Sequence, residues 1–220
     1  MRIQSLLTGV LAASTAVLVT TAPASAQADN PAHAHIGHVA NGFRGTPEGQ
    51  GLLPTAVAEA EVAHQHATLA GRDTGNLEGM QRHMAHVIHA LDPSEVENGP
   101  GAGYGVVAAA GGSARHIELA AAAEGASDGV KTHATHVATA ASHAMTMAEQ
   151  AVELAGDIQD AEDAAEAAAL LEELTALTDA IVNGMDANGD GRVGWQEGEG
   201  GLAQATTHLG LMMRGEGMGG

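Results

Sequence analysis

The chain has no cysteine. Disulfides, thiolate metal sites and covalent c-type haem attachment are therefore excluded. Large aromatics are almost missing, with one Phe, one Tyr and one Trp in 220 residues. A core must then be built from small side chains, so helices either approach closely or leave room for something that is not protein. Basic residues are scarce too, 8 Lys+Arg against 27 Asp+Glu, for a formal charge of −19. That balance argues against nucleic acid as a partner, because a phosphate backbone demands basic patches. It suits cations, which a polyanionic surface concentrates. Past the N-terminal segment no stretch is apolar for long enough to span a bilayer. There is no G-x-S-x-G elbow, no phosphate-cradling glycine loop and no H-E-x-x-H, and Glu61-Val-Ala-His64 is a single E-x-x-H match. No nucleophile stands beside a matching base, so catalysis enters only through a bound metal.

Residues 1–26 read as an export signal. Arg2 precedes an uncharged, largely apolar stretch from Ile3 to Val19, and Ala24-Ser25-Ala26 fits a small-residue cleavage site. The expected product is periplasmic or secreted, with no membrane attachment after cleavage.

What the chain does have is 13 histidines, and they are patterned. His66-Ala-Thr-Leu69-Ala70 and His116-Ile-Glu-Leu119-Ala120 lie fifty residues apart. The register continues through Gly75 and Gly125, Gly79 and Gly129, His83 and His133, His86 and His136, and Val87 and Val137. The shared pattern is H-x2-L-A, eight residues, then G-x3-H-x2-H-V-x2-A, which we read as a duplicated unit. A third H-x2-H-V element at His35-Ile-Gly-His38-Val39 lacks the rest of the pattern and adds His35 and His38 as further candidates.

Each unit reads as a helical hairpin. Helices are expected over 55–70 and 77–91, stopped at Asp92-Pro93, and over 104–123 and 127–155 with Ser127 as N-cap. Four such helices suggest an up-down bundle. Histidines three apart share a helix face. His83 with His86, and His133 with His136, are such pairs, and across each turn His66 and His116 sit at a similar height. Each hairpin could gather three imidazoles, His66 with His83 and His86, and His116 with His133 and His136, or two hairpins packed face to face could pool all six, with His64, His89 and His143 near enough to join or to form an outer shell. Imidazole suits Zn, Cu, Ni and Fe, and it also binds haem iron axially. Glu78 and Asp128 precede the pairs as orienting partners or as ordinary helix-start acids. Met80, Met84, Met145 and Met147 offer soft ligands for Cu(I) or core packing.

A second kind of site follows. Asp186-Ala-Asn188-Gly-Asp190-Gly191-Arg192-Val193-Gly194-Trp195-Gln196-Glu197 places oxygen-bearing side chains at positions one, three, five and twelve, with glycine at six. Ca²⁺ takes six to eight oxygen ligands, and a glycine at the bend lets a short loop wrap round it. The stretch resembles the EF-hand family loop D-x-[DN]-x-[DN]-G-x5-E. The resemblance covers about residues 170–213. It implies side-chain ligation by Asp186, Asn188 and Asp190, a backbone carbonyl from Arg192, water at Gly194 and a bidentate Glu197. Gly198, Gly200 and Gly201 depart from it, weakening the start of an exiting helix. No second such loop is present, and EF-hands usually pair, which raises pairing between chains as a homodimer.

The expected protein is thus all-α. It has a His-lined bundle over 27–155, with repeat units at about 54–91 and 104–141, then a single EF-hand-like helix-loop-helix over 156–214. Three functions fit: a carrier, buffer or sensor of a transition metal that also binds Ca²⁺, an electron-transfer protein holding b-type haem between histidines, and a Ca²⁺-only structural module.

Overall fold

In a computed structural model, which describes residues 30–219, the chain is all-helical. The expected export signal lies outside the described residues. Seven α-helices run α1 Pro31–Ala40, α2 Leu52–Ala70, α3 Leu77–Leu91, α4 Val106–Ala122, α5 Asp128–Asp160, α6 Ala164–Asn183 and α7 Leu202–Gly215, with a 3-10 turn at Pro47–Gly49 between α1 and α2. No helix among the described residues is long and apolar enough to cross a membrane.

The helix starts are written locally. Asn30, Asn76, Ser127 and Asp163 each accept a backbone N–H of the helix they precede. These bonds satisfy donors that a helix end otherwise leaves unpaired. The helix at 128 extends past the expected end at 155, to Asp160. With 33 residues it is about 50 Å long, and α3, α4, α6 and α7 all pack on it.

That packing is possible because the side chains are small. Ala140, Ala144, Ala148, Ala151 and Ala155 form a buried stripe along α5 at spacings of three and four. The two glycines inside α4 are contact points. A Cβ at Gly112 would lie 3.2 Å from Leu52 Cδ2, and one at Gly111 would lie 2.8 Å from Met145 Sδ. The scarcity of large side chains is resolved by close helix approach, and one buried cluster runs through all seven helices.

Helix α4 starts at Gly105, which has no side chain to cap it. Its cap comes from α2. Glu59, 1% exposed, accepts hydrogen bonds from the backbone N–H groups of Ala102 (3.2 Å), Tyr104 (2.9 Å) and Gly105 (3.3 Å). A carboxylate at a helix N-terminus both satisfies orphan donors and meets the positive end of the helix dipole. The Pro- and Gly-rich linker between α3 and α4 is thereby tied to the body of the protein.

Candidate metal centres

Nine of the histidines form three triads, and each triad joins an H-x2-H pair to a single histidine from another helix. In the first, His35 and His38 of α1 meet His116 of α4. In the second, His66 of α2 meets His83 and His86 of α3. In the third, His133 and His136 of α5 meet His208 of α7. In each group the candidate ligand atoms lie within 4.8 Å of one another, and every group contains histidine alone.

All three triads converge through Nδ1. His116 Nδ1 lies 3.0 Å from His35 Nδ1 and 3.4 Å from His38 Nδ1. His66 Nδ1 lies 3.0 Å from His83 Nδ1 and 3.2 Å from His86 Nδ1. His208 Nδ1 lies 3.3 Å from His133 Nδ1 and 3.2 Å from His136 Nδ1. Adjacent ligands on a tetrahedral ion with metal–nitrogen bonds of about 2.0–2.1 Å are about 3.4 Å apart. Two edges of each triad, at 3.0–3.4 Å, are therefore close to the spacing of adjacent ligands on one tetrahedral ion, and the third edge is within 4.8 Å.

Hydrogen bonding does not account for this arrangement. A neutral imidazole Nδ1 offers either one N–H or one in-plane lone pair. The central nitrogen of each triad can serve one neighbour and not both, whichever tautomer it adopts. A cation at the meeting point could take all three lone pairs together. The other four histidines behave differently. His89 Nδ1–H donates to the Val96 carbonyl (2.7 Å) and His143 Nδ1–H to the Gly200 carbonyl (2.8 Å). His64 pairs with the Thr178 hydroxyl and His33 with the Glu216 carboxylate. These four have ordinary partners at single, well-defined positions.

Electrostatics favour the neutral form at six of the nine triad histidines. Burial, and then repulsion from the neighbouring histidines, lowers the pKa of His35, His66, His116, His136 and His208. His83 is lowered by burial, then by His86 and Arg82. Neutral imidazole is the ligating form.

Two sequence-based groupings change. His116 was expected to join His133 and His136 but instead faces α1, because α4 turns its His116 face towards His35 and His38. His133 and His136 take their third member from α7, where His208 lies outside the fifty-residue repeat. A signal for it exists, since His208-Leu-Gly-Leu211 repeats the H-x2-L of His66–Leu69 and His116–Leu119. Glu78 and Asp128 lie exposed in the first turns of α3 and α5. Met80, Met84 and Met147 are buried core residues. No single triad supplies bis-imidazole haem ligation. A macrocycle between two axial imidazoles needs them on opposite sides of a plane, whereas three nitrogens here crowd one point.

The loop at 186–197 bends at Gly191, with φ of 81°. Asp186 accepts from the N–H groups of Gly189, Asp190 and Gly191, Asn188 from Asp190, and Asp190 from Arg192. Glu197, expected as the twelfth-position ligand, borders a surface groove with Glu118 and His143. Glu199, 6% exposed, reaches the loop, where its carboxylate accepts from Gly194 N–H (2.8 Å) and from the Asn188 side chain. The expected exiting helix begins only at Leu202, because Gly198, Gly200 and Gly201 separate it from the loop.

Comparison with known proteins gives no match to the chain among family models, curated proteins or solved structures.

Proposed function

We propose that the protein is an exported transition-metal-binding protein, a carrier, buffer or sensor, with three trihistidine centres. The observation that supports this reading is the convergence of three Nδ1 atoms, three separate times, at spacings suited to one ion. Neutral nitrogen donors without a carboxylate favour borderline ions such as Zn(II), Co(II), Ni(II) and copper over Mg²⁺ or Ca²⁺. The repeated H-x2-H-V and H-x2-L elements supply the two halves of each centre. The test is elemental analysis of untagged protein purified from its native compartment, followed by titration of the apo-protein with Zn(II). Three equivalents are expected. Calcium as the sole bound ion, with no Zn(II) uptake, removes the reading and returns the histidines to structure.

We also retain a Ca²⁺ site at the 186–197 loop, supported by its D-x-N-x-D-G pattern and the bend at Gly191. Binding would draw Glu197 in from the groove. Calorimetric titration should show Ca²⁺ uptake that Glu197→Ala abolishes. Loss in Glu199→Ala alone would move the closing ligand to Glu199, and no binding heat in the unsubstituted protein would remove calcium from the proposal.

A further inference from the structure

Two of the three large aromatic rings in this chain rest on the triads. The Phe43 ring packs edge-on against His38 and His116, at centroid distances of 5.6 Å and 5.2 Å and interplanar angles of 75° and 65°. The Trp195 ring stacks on His136 at 4.0 Å and 24°. Both rings are carried by anchored segments. Phe43 N–H donates to the Gln50 carbonyl (2.9 Å), and Thr46 Oγ1 donates to the Phe43 carbonyl (2.8 Å). The Trp195 segment is held by the Gly194 N–H on Glu199 and by Glu199 N–H on the Gln196 carbonyl (3.1 Å). Tyr104 sits in the α3–α4 linker, with its N–H on Glu59. Among the described residues no Phe, Tyr or Trp ring packs on His66, His83 or His86.

An ion leaves a three-imidazole site by shedding its ligands in turn, and each imidazole must rotate away before it can be replaced. A ring packed on that imidazole opposes the rotation, because the pair contact is lost as the ligand swings out. Resting on the metal reading above, we propose that the three centres fall into two kinetic classes. The first and third, clamped by Phe43 and Trp195, retain their ions. The second, His66 with His83 and His86, exchanges its ion readily and is the port through which a borderline divalent ion enters and leaves.

The test uses the full chain loaded with Zn(II) and mixed with excess chromogenic chelator. Release is expected in two phases, one equivalent fast and two slow, with rates separated about three- to tenfold for each clamping ring. His66→Ala should delete the fast phase and leave two slow equivalents. Phe43→Ala and Trp195→Ala should each move one equivalent from slow to fast without changing the rate of the second centre. Phe43→Tyr and Trp195→Phe should keep the slow phase, which separates clamping from a general loosening of the fold. A single release phase, a second centre that is slowest, or alanine variants with unaltered phases overturns the inference and leaves the metal reading standing. A chain that takes up no Zn(II) overturns both.

Discussion

Replacing His116 with alanine should remove one bound ion of three and leave the centre containing His133 and His136 intact. The fifty-residue repeat groups His116 with His133 and His136, whereas the structure groups it with His35 and His38. The two groupings give opposite results in one experiment. In His116→Ala, the quenching of Trp195 fluorescence by Co(II) should persist, because Trp195 stacks on His136 of the third centre. In His208→Ala the quenching should vanish, while two equivalents of metal remain. Loss of a residue that merely orients a ligand lowers metal affinity about 10–100-fold. Removal of a ligand itself should cost at least that much at the affected centre. Quenching that disappears in His116→Ala would restore the repeat-based grouping.

That contrast shows where the sequence was readable. The H-x2-H pairs are local, since three residues on one helix face need no tertiary information. The caps at Ser127 and the stop at Asp92-Pro93 are local in the same sense. Which histidine completes a pair is not local. His66 lies across a short turn from His83 and His86, and α2 and α3 do meet there. The same spacing in α4 and α5 gives a different result, because α1 covers the His116 face of α4 and α7 covers the His133 face of α5. Register predicts height along a helix but not which neighbour its face meets. Gly111 and Gly112, which helix propensity alone marks as costly inside a helix, are where Met145 and Leu52 pack against α4. Backbone cost is set by propensity and contact gain by the neighbour, and only the second needs the fold. Glu197 shows the reverse case. A linear pattern names the twelfth position of the loop, yet the side chain buried against the loop is Glu199, two residues on.

Metal loading should raise thermal stability strongly at neutral pH, and acidification should erase the gain. An ion that binds only the folded chain contributes about 2.7 kcal/mol when its free concentration is 100 times Kd. Three such centres would contribute about 8 kcal/mol, and for a chain of this size each kcal/mol raises Tm by about 2–4 °C. A rise of about 15–30 °C between apo-protein and Zn(II)-loaded protein is expected in a thermal scan at pH 7.5. The effect should be mechanical as well as additive, because the first and third centres tie together helices far apart in sequence, α1 with α4 and α5 with α7. The pH dependence has a definite sign. Burial holds His35, His66, His83, His116, His136 and His208 below their ordinary pKa of 6.5 in the folded state. Above that value neither state binds these protons, and the full stability of the apo-protein is present. As pH falls from about 6.5 through the lowered folded values, the unfolded chain takes up protons that the folded chain resists, so stability declines. In the loaded protein the same protons compete with the ion for Nδ1, so the loaded form should lose more stability than the apo-protein over that interval. The two melting curves should therefore approach each other as pH falls through 6 and nearly coincide at pH 5. A metal-induced gain that survives undiminished at pH 5 would place the ion on ligands other than these imidazoles.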